Sequence, residues 1–139
     1  MPITVRATEG VFEPAAEHEL FADLTASLLK HHQLTGNSFM TPNVIGEITT
    51  IPKGRTFSGG KPADIVTVEI KVPSFAFSEP AQKAGFVAEA TDAVRRASNN
   101  RVPTNRIYVS LVYAVDGMWG IGGTAYSNAK LLEAVTNAA

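Results

Sequence analysis

Apolar and polar residues alternate at the start of the chain. Ile3, Val5 and Ala7 interleave with Thr4, Arg6 and Thr8, the period-two signature of a strand buried on one face. The pattern then turns helical. Leu20, Phe21, Leu24 and Leu28 share one face, behind Pro14, which a helix accepts in its first turn. Thr35-Gly36-Asn37 is expected to stop that helix, and Val44 through Ile51 reads as a second strand. The order then returns. Ile65 to Val72 is dominated by β-branched residues, and Ser78 is a good N-cap ahead of Glu79 and Pro80. Phe86, Ala90, Val94 and Ala97 form a buried stripe, Ile107 to Val115 is a fourth strand, and Gly117 to Gly123 is a Gly-rich turn or hairpin.

The two halves keep a common register, which is the mark of an internal repeat. Ile3-Thr4-Val5 recurs as Val66-Thr67-Val68, and Thr41–Ile48 as Thr104–Leu111. Gly54, Gly59 and Gly60 recur at Gly117, Gly122 and Gly123 with the same offset. Glu13-Pro14-Ala15 recurs slightly later, as Glu79-Pro80-Ala81, so the second strand-to-helix loop is longer. A strand–helix–strand crossover makes its two strands parallel. The expected fold is therefore α+β: two tandem βαβ repeats forming a four-stranded mixed sheet with two helices on one face. It is read as one domain made of two pseudo-repeats, about 1–61 and 62–139. The opposite sheet face would carry Ile45, Thr67, Tyr108 and Val112, too apolar for solvent, and another copy of the chain is its simplest cover.

Composition narrows the function classes. With 139 residues, 45% of them hydrophobic, the chain fits one folded domain. Twelve basic against thirteen acidic side chains argue against a nucleic-acid or anionic-membrane partner. There is no cysteine, and His18, His31 and His32 show no metal-ligand spacing, so no metal and no cofactor is expected. No apolar run reaches a bilayer-spanning length and no signal-peptide pattern is visible, which makes a cytoplasmic protein the expectation.

The chain opens Met-Pro directly before a strand. Removal of Met1 would leave Pro2 with a free secondary amine on a rigid element. An α-amino group titrates near 7.7–8.0 in peptides. Burial or a neighbouring cation lowers that value, because both disfavour the charged form. An amine neutral at physiological pH suits proton transfer beside a carbonyl. Many chains begin Met-Pro without consequence, so the dipeptide gains meaning only from its context.

That context is Pro2-Ile3 opening a strand, Glu9-Gly10 closing it, and Trp119-Gly120-Ile121-Gly122-Gly123 near the end, with a degraded copy at Phe57-Ser58-Gly59-Gly60. The set resembles the tautomerase superfamily, the group of 4-oxalocrotonate tautomerase and macrophage migration inhibitory factor, as a fused pair of repeats. Phe57-Ser58-Gly59-Gly60-Lys61-Pro62 and Ile107-Tyr108-Val109-Ser110 are similar to the migration-factor branch. The resemblance implies a homotrimer with active sites at subunit interfaces around each N-terminal proline. It implies Pro2 as catalytic general base or acid, and Tyr108, from an adjacent subunit, in the pocket. Ser110 falls where an asparagine is usual, Lys71 where pocket residues are drawn in several branches, and Trp119 would be an apolar wall. His31-His32-Gln33-Leu34-Thr35-Gly36 resembles a stretch of the cis-3-chloroacrylic acid dehalogenase branch and implies a site role for His31. A helix-end imidazolium is equally explained by the helix dipole.

Arginines that bind dicarboxylates in several branches have no clean match. Val11 stands at the first place, Val72, Pro73, Ser74 and Phe75 at the second, and Arg6, Arg55 and Arg106 fit neither. The expectation is a keto-enol tautomerase acting on a small α-keto acid with an apolar or aromatic tail, such as a phenylpyruvate-like molecule. The alternatives are a cofactor-free hydratase, decarboxylase or dehalogenase with His31 orienting water, and a non-catalytic oligomeric protein of the same fold.

Overall fold

A computed structural model describes residues 1–139. Four long strands build one sheet in the order β2-β1-β5-β6: β1 is Pro2–Thr8, β2 Ile45–Ile51, β5 Val66–Pro73 and β6 Ile107–Ala114. Two short hairpins accompany it, β3–β4 (Phe57–Ser58 with Lys61–Pro62) and β7–β8 (Trp119–Ile121 with Thr124–Tyr126). β1 runs parallel to β2 and antiparallel to β5, and β5 runs parallel to β6. This is the mixed sheet of two crossover units that the repeat predicts, and the Gly117–Gly123 segment is a hairpin.

Helices α1 (Pro14–His31) and α3 (Pro80–Ala97), each 18 residues, cover one sheet face. Ile3, Val5, Val66, Val68, Ile70 and Val72 point at them and are fully buried, with Leu20, Leu24, Leu28, Phe86 and Val94 opposite. Both helices begin with Pro in the first turn and end with basic residues, as the orphan N–H groups and the dipole favour. Their ends are tied together. The Gln82 side chain accepts from the Glu79 N–H at 3.1 Å and donates to the His31 carbonyl at 2.9 Å.

Two sequence expectations are corrected here, and one helix is added. The N-cap of α3 is Glu79, not Ser78, because Phe77 adopts φ +52° and turns inward to pack on Phe86 and His32, which delays the helix by one residue. Helix α1 stops at His31 rather than at Thr35-Gly36-Asn37, because Gln33 takes a left-handed φ of 56°. Buried Asn37 instead caps the short α2 (Met40–Asn43), its Oδ1 accepting from Met40 N–H at 2.8 Å. Finally, α4 (Asn128–Asn137) has no counterpart in the first half. Ser127 caps it, its hydroxyl accepting from the Lys130 N–H, and Leu131 buries its inner face.

The second face of the sheet carries no helix. Its rows follow from register. Ile45 and Val112 flank the row of Pro2 and Lys71, Thr49, Thr67 and Tyr108 share the row of Arg6, and Glu47, Glu69 and Ser110 share that of Thr4. Ile45, Tyr108 and Val112 are 59%, 49% and 38% exposed, an apolar exposure at the places the alternation predicts. No helix is long and apolar enough to cross a membrane.

Candidate functional site

Strand β1 delivers Pro2 to the sheet end where α2, the β7–β8 hairpin and α4 gather. Met1 continues the strand inward. It is only 6% exposed, its carbonyl accepts from Ile45 N–H at 3.2 Å, and its amino group donates to the Asn43 carbonyl. Burial pushes that amino group down from 8.0 to about 6, since a buried ammonium loses its hydration.

Met1 borders two spaces. A hollow of about 280 Å³ is lined by Met1 and Pro2 with Asn43, Ile45, Trp119 and Ile121. A more enclosed cavity of about 140 Å³ lies on the other side, where Met1 meets Met40, Phe75, Leu131 and Val135. A further small hollow of about 140 Å³ sets Glu47 beside Pro2 and Ile45. The antiparallel register ends at Ile3 opposite Ile70, and one more residue places Lys71 beside Pro2 on the open face. Lys71 is exposed, so an anion near Pro2 can reach it without desolvating it first.

Of the residues singled out in the sequence, Trp119 shares a hollow with Pro2, and Lys71, which does not line that hollow, stands one register step beyond the last β1–β5 pair, beside Pro2. Tyr108 stands four residues along the sheet from the Pro2 row, about 13 Å at a rise of roughly 3.3 Å per residue, and Ser110 about half that distance. Both are exposed on the helix-free face, so neither meets Pro2 of its own chain.

His31 is elsewhere. Its ring lies between α1 and α3, against Gly85, and its Nε2 is 3.3 Å from Glu89 Oε2. Glu89 also accepts from Lys30 and, at 2.6 Å, from Ser27 Oγ. These hydrogen bonds, Lys30 first, hold its carboxyl down at about 2. This is a structural cluster on the helix layer. The neighbour His32 is the histidine at the Met1 cavity. Its Nδ1 lies 2.9 Å from the Leu28 carbonyl and its Nε2 accepts from Phe77 N–H at 3.1 Å. Burial lowers its pKa, consistent with a neutral ring that pins the α1 end to the β5–α3 loop.

Sequence reasoning missed His32, Asn43, Glu47 and the α4 side chains. Ser127 followed by Leu131 and Val135 was the available signal for α4. Asn43 and Glu47 had none, since only folding brings them to Pro2, and His32, quoted beside His31 in the sequence, is set at the Met1 cavity by the fold. There is no group of His, Cys, Asp and Glu that could hold a metal ion.

No protein-family model matches the chain, and no curated protein sequence matches it. Solved structures do. A member of the cis-3-chloroacrylic acid dehalogenase family superposes with a TM-score of 0.78 at 14% identity, covering 96% of this chain and 88% of that one. A symmetric trimer of a fused 4-oxalocrotonate tautomerase gives 0.76 at 15% identity, covering 94% and 98%. Macrophage migration inhibitory factor from Toxoplasma gondii gives 0.72 at 16% identity, covering 91% and 100%. At these identities the likeness is one of fold: the chain shares the fold of these three structures over nearly its whole length.

Proposed function

We propose that this chain, once Met1 is removed, is a keto-enol tautomerase that uses the Pro2 amine on a small α-keto acid with an apolar tail. The observation that carries the reading is the position of Pro2, beside Trp119 in one hollow and next to Lys71 across the sheet. The half-buried place of Pro2 at the end of β1 supports it, because partial removal from water disfavours the charged form of an amine.

In the proposed reaction the Pro2 nitrogen takes the proton from the carbon next to the keto group and becomes a secondary ammonium. The C–H electron pair forms the carbon–carbon double bond, and the carbonyl π pair moves to oxygen. Lys71 holds the carboxylate and the developing enolate, and Trp119 shields them from water. Proton return to oxygen completes the enol, and the reverse sequence ketonises it. No step uses a metal or an organic cofactor. The exposed Ile45, Tyr108 and Val112 support a homotrimer closed over the helix-free face, in which Tyr108 and Ser110 approach the Pro2 of a neighbouring copy. Hydration through His31 has less support, because that ring lies between α1 and α3, beside Gly85 and Glu89, and lines none of the spaces at Met1 and Pro2.

The test is ketonisation of phenylenolpyruvate by protein whose intact mass shows Met1 absent. Turnover is expected, and Pro2→Ala is expected to lose at least about a hundredfold, the low end of general acid–base contributions. Undiminished turnover in Pro2→Ala refutes the assignment. Absence of turnover in the Met1-free wild type leaves the non-catalytic reading.

A further inference from the structure

Met1 is the wall between the two spaces at the end of β1: it lines both the hollow with Pro2 and Trp119 and the cavity with Phe75 and Leu131. Because Met1 is bonded to the Pro2 nitrogen, the lone pair freed by its removal points into the volume Met1 occupied. Excision therefore joins the two spaces and opens the nitrogen onto both.

The two sides differ in chemistry. Lys71 stands on the outer side. The inner cavity is lined by ten residues, eight of them hydrophobic. Both nitrogens of its one histidine, His32, are committed to backbone partners, so none of the side chains lining it can pair with a charge, and the Pro2 nitrogen at its mouth is the reacting base. A carboxylate there would be buried without a partner, which is far costlier than leaving it in water. The Met1 side chain, 6% exposed among these residues, shows that an aliphatic chain fits.

Resting on the function proposed above, we infer that α4 forms the specificity wall of the site. In this arrangement the carboxylate and keto group of the substrate lie on the Lys71 and Trp119 side. The tail lies in the inner cavity against Leu131, Leu132 and Val135. The favoured substrate class is a 2-keto monocarboxylic acid with an aryl or branched aliphatic side chain, and dicarboxylates are rejected at the tail. Val135 stands half-buried at the back of the cavity and Leu132 is 54% exposed at its edge, so their substitution changes the cavity without removing a core side chain.

The experiment uses Met1-free protein with two readouts. Calorimetry follows binding of 3-phenylpropionate, an inert analogue with one carboxylate and an aryl tail. Kinetics compare phenylenolpyruvate with enolpyruvate, which has no tail. Val135→Phe, which fills the cavity, is expected to weaken 3-phenylpropionate at least tenfold. It should lower kcat/KM for phenylenolpyruvate by a similar factor, mainly through KM, and by at least fivefold more than it lowers that for enolpyruvate. Leu132→Ala, which widens the edge, is expected to accept a larger tail such as 2-naphthylpropionate without losing 3-phenylpropionate. Saturable 3-phenylpropionate binding that Val135→Phe abolishes, without turnover in any variant, removes the proposed reaction and keeps the tail site. No saturable binding, binding indifferent to Val135→Phe, or equal losses on both enols overturns the inference, whatever becomes of the reaction.

Discussion

The two halves of the sheet share a plan and differ in what they can do. In the first, β1, α1 and β2 lead to the β3–β4 hairpin; in the second, β5, α3 and β6 lead to β7–β8. The residue corresponding to Pro2 in the second half is Ile65. Its nitrogen is an internal amide, and its carbonyl accepts hydrogen bonds from the Thr8 backbone N–H and hydroxyl. A duplicated unit in one chain has only one N-terminus, so amine chemistry is available at one end alone. The hairpins diverge accordingly. Phe57 is 54% exposed, whereas Trp119 is half-buried beside Pro2. Only the second hairpin leads into a helix, α4.

The packing of the two units has diverged by compensation. In the first, Phe21 of α1 lies so close to Gly46 of β2 that an added Cβ would sit 2.4 Å from its ring. The corresponding residues of the second unit are Val87 and Val109. A large–small pair in one half thus stands where the other has two of middle size, which keeps the volume between helix and strand similar.

The largest test of the comparison is chemical. Moving the amine should end the activity, so adding one residue ahead of Pro2 that cannot be processed is expected to lose at least about a hundredfold in enol ketonisation, like Pro2→Ala. A protein so extended that turns over normally would show that the two ends are equivalent after all. Next comes packing. Gly46→Val is expected to cost about 1–3 kcal/mol in urea unfolding through overpacking against Phe21. Phe21→Val in the same chain, restoring the second-half pair, should recover most of it, and additive losses would sink the compensation argument.

Smaller effects concern charge. In protein that retains Met1, the unfolded amine binds its proton near 8.0 and the folded one only near 6. The unfolded state therefore holds more protons across that window, and stability should rise as pH increases from about 6 to 8. A profile that stays flat across that window in the Met1-retaining protein would count against the buried amine. Smallest is Glu89→Gln. Its carboxyl, held near 2 by Lys30 and Ser27, contributes stability that is present above its ordinary value near 4.5 and fades as pH falls towards 2. The site is more than a third exposed, so solvent screening limits the loss at neutral pH to about 0.5 kcal/mol.

Much of the fold was legible locally. Alternation in β1 and β5, the period of α1 and α3 and the constant offset between halves depend only on which side chains must leave water, and those are written in order along the chain. Pro2 and Trp119 were legible as candidates because a Met-Pro opening before a strand and a Gly-rich hairpin are local features. The helix ends were less so. Phe77 and Gln33 adopt left-handed backbone that no glycine announces, and they do so because the β5–α3 loop packs on His32.

What the order of residues determined by itself is the repeated βαβ plan and the face of each strand that is buried. The tertiary structure alone decided which side chains meet around Met1 and Pro2. Lys71 comes beside Pro2 through strand register, Glu47 through the parallel neighbour β2 and Asn43 through α2, and Leu131 and Val135 reach Met1 through a helix packed from the far end of the chain. It also decided between the adjacent histidines, setting His31 between the helices and turning His32 to the cavity. Contacts between residues distant in sequence depend on how elements dock, and docking is set by the shape of the whole core rather than by any local pattern.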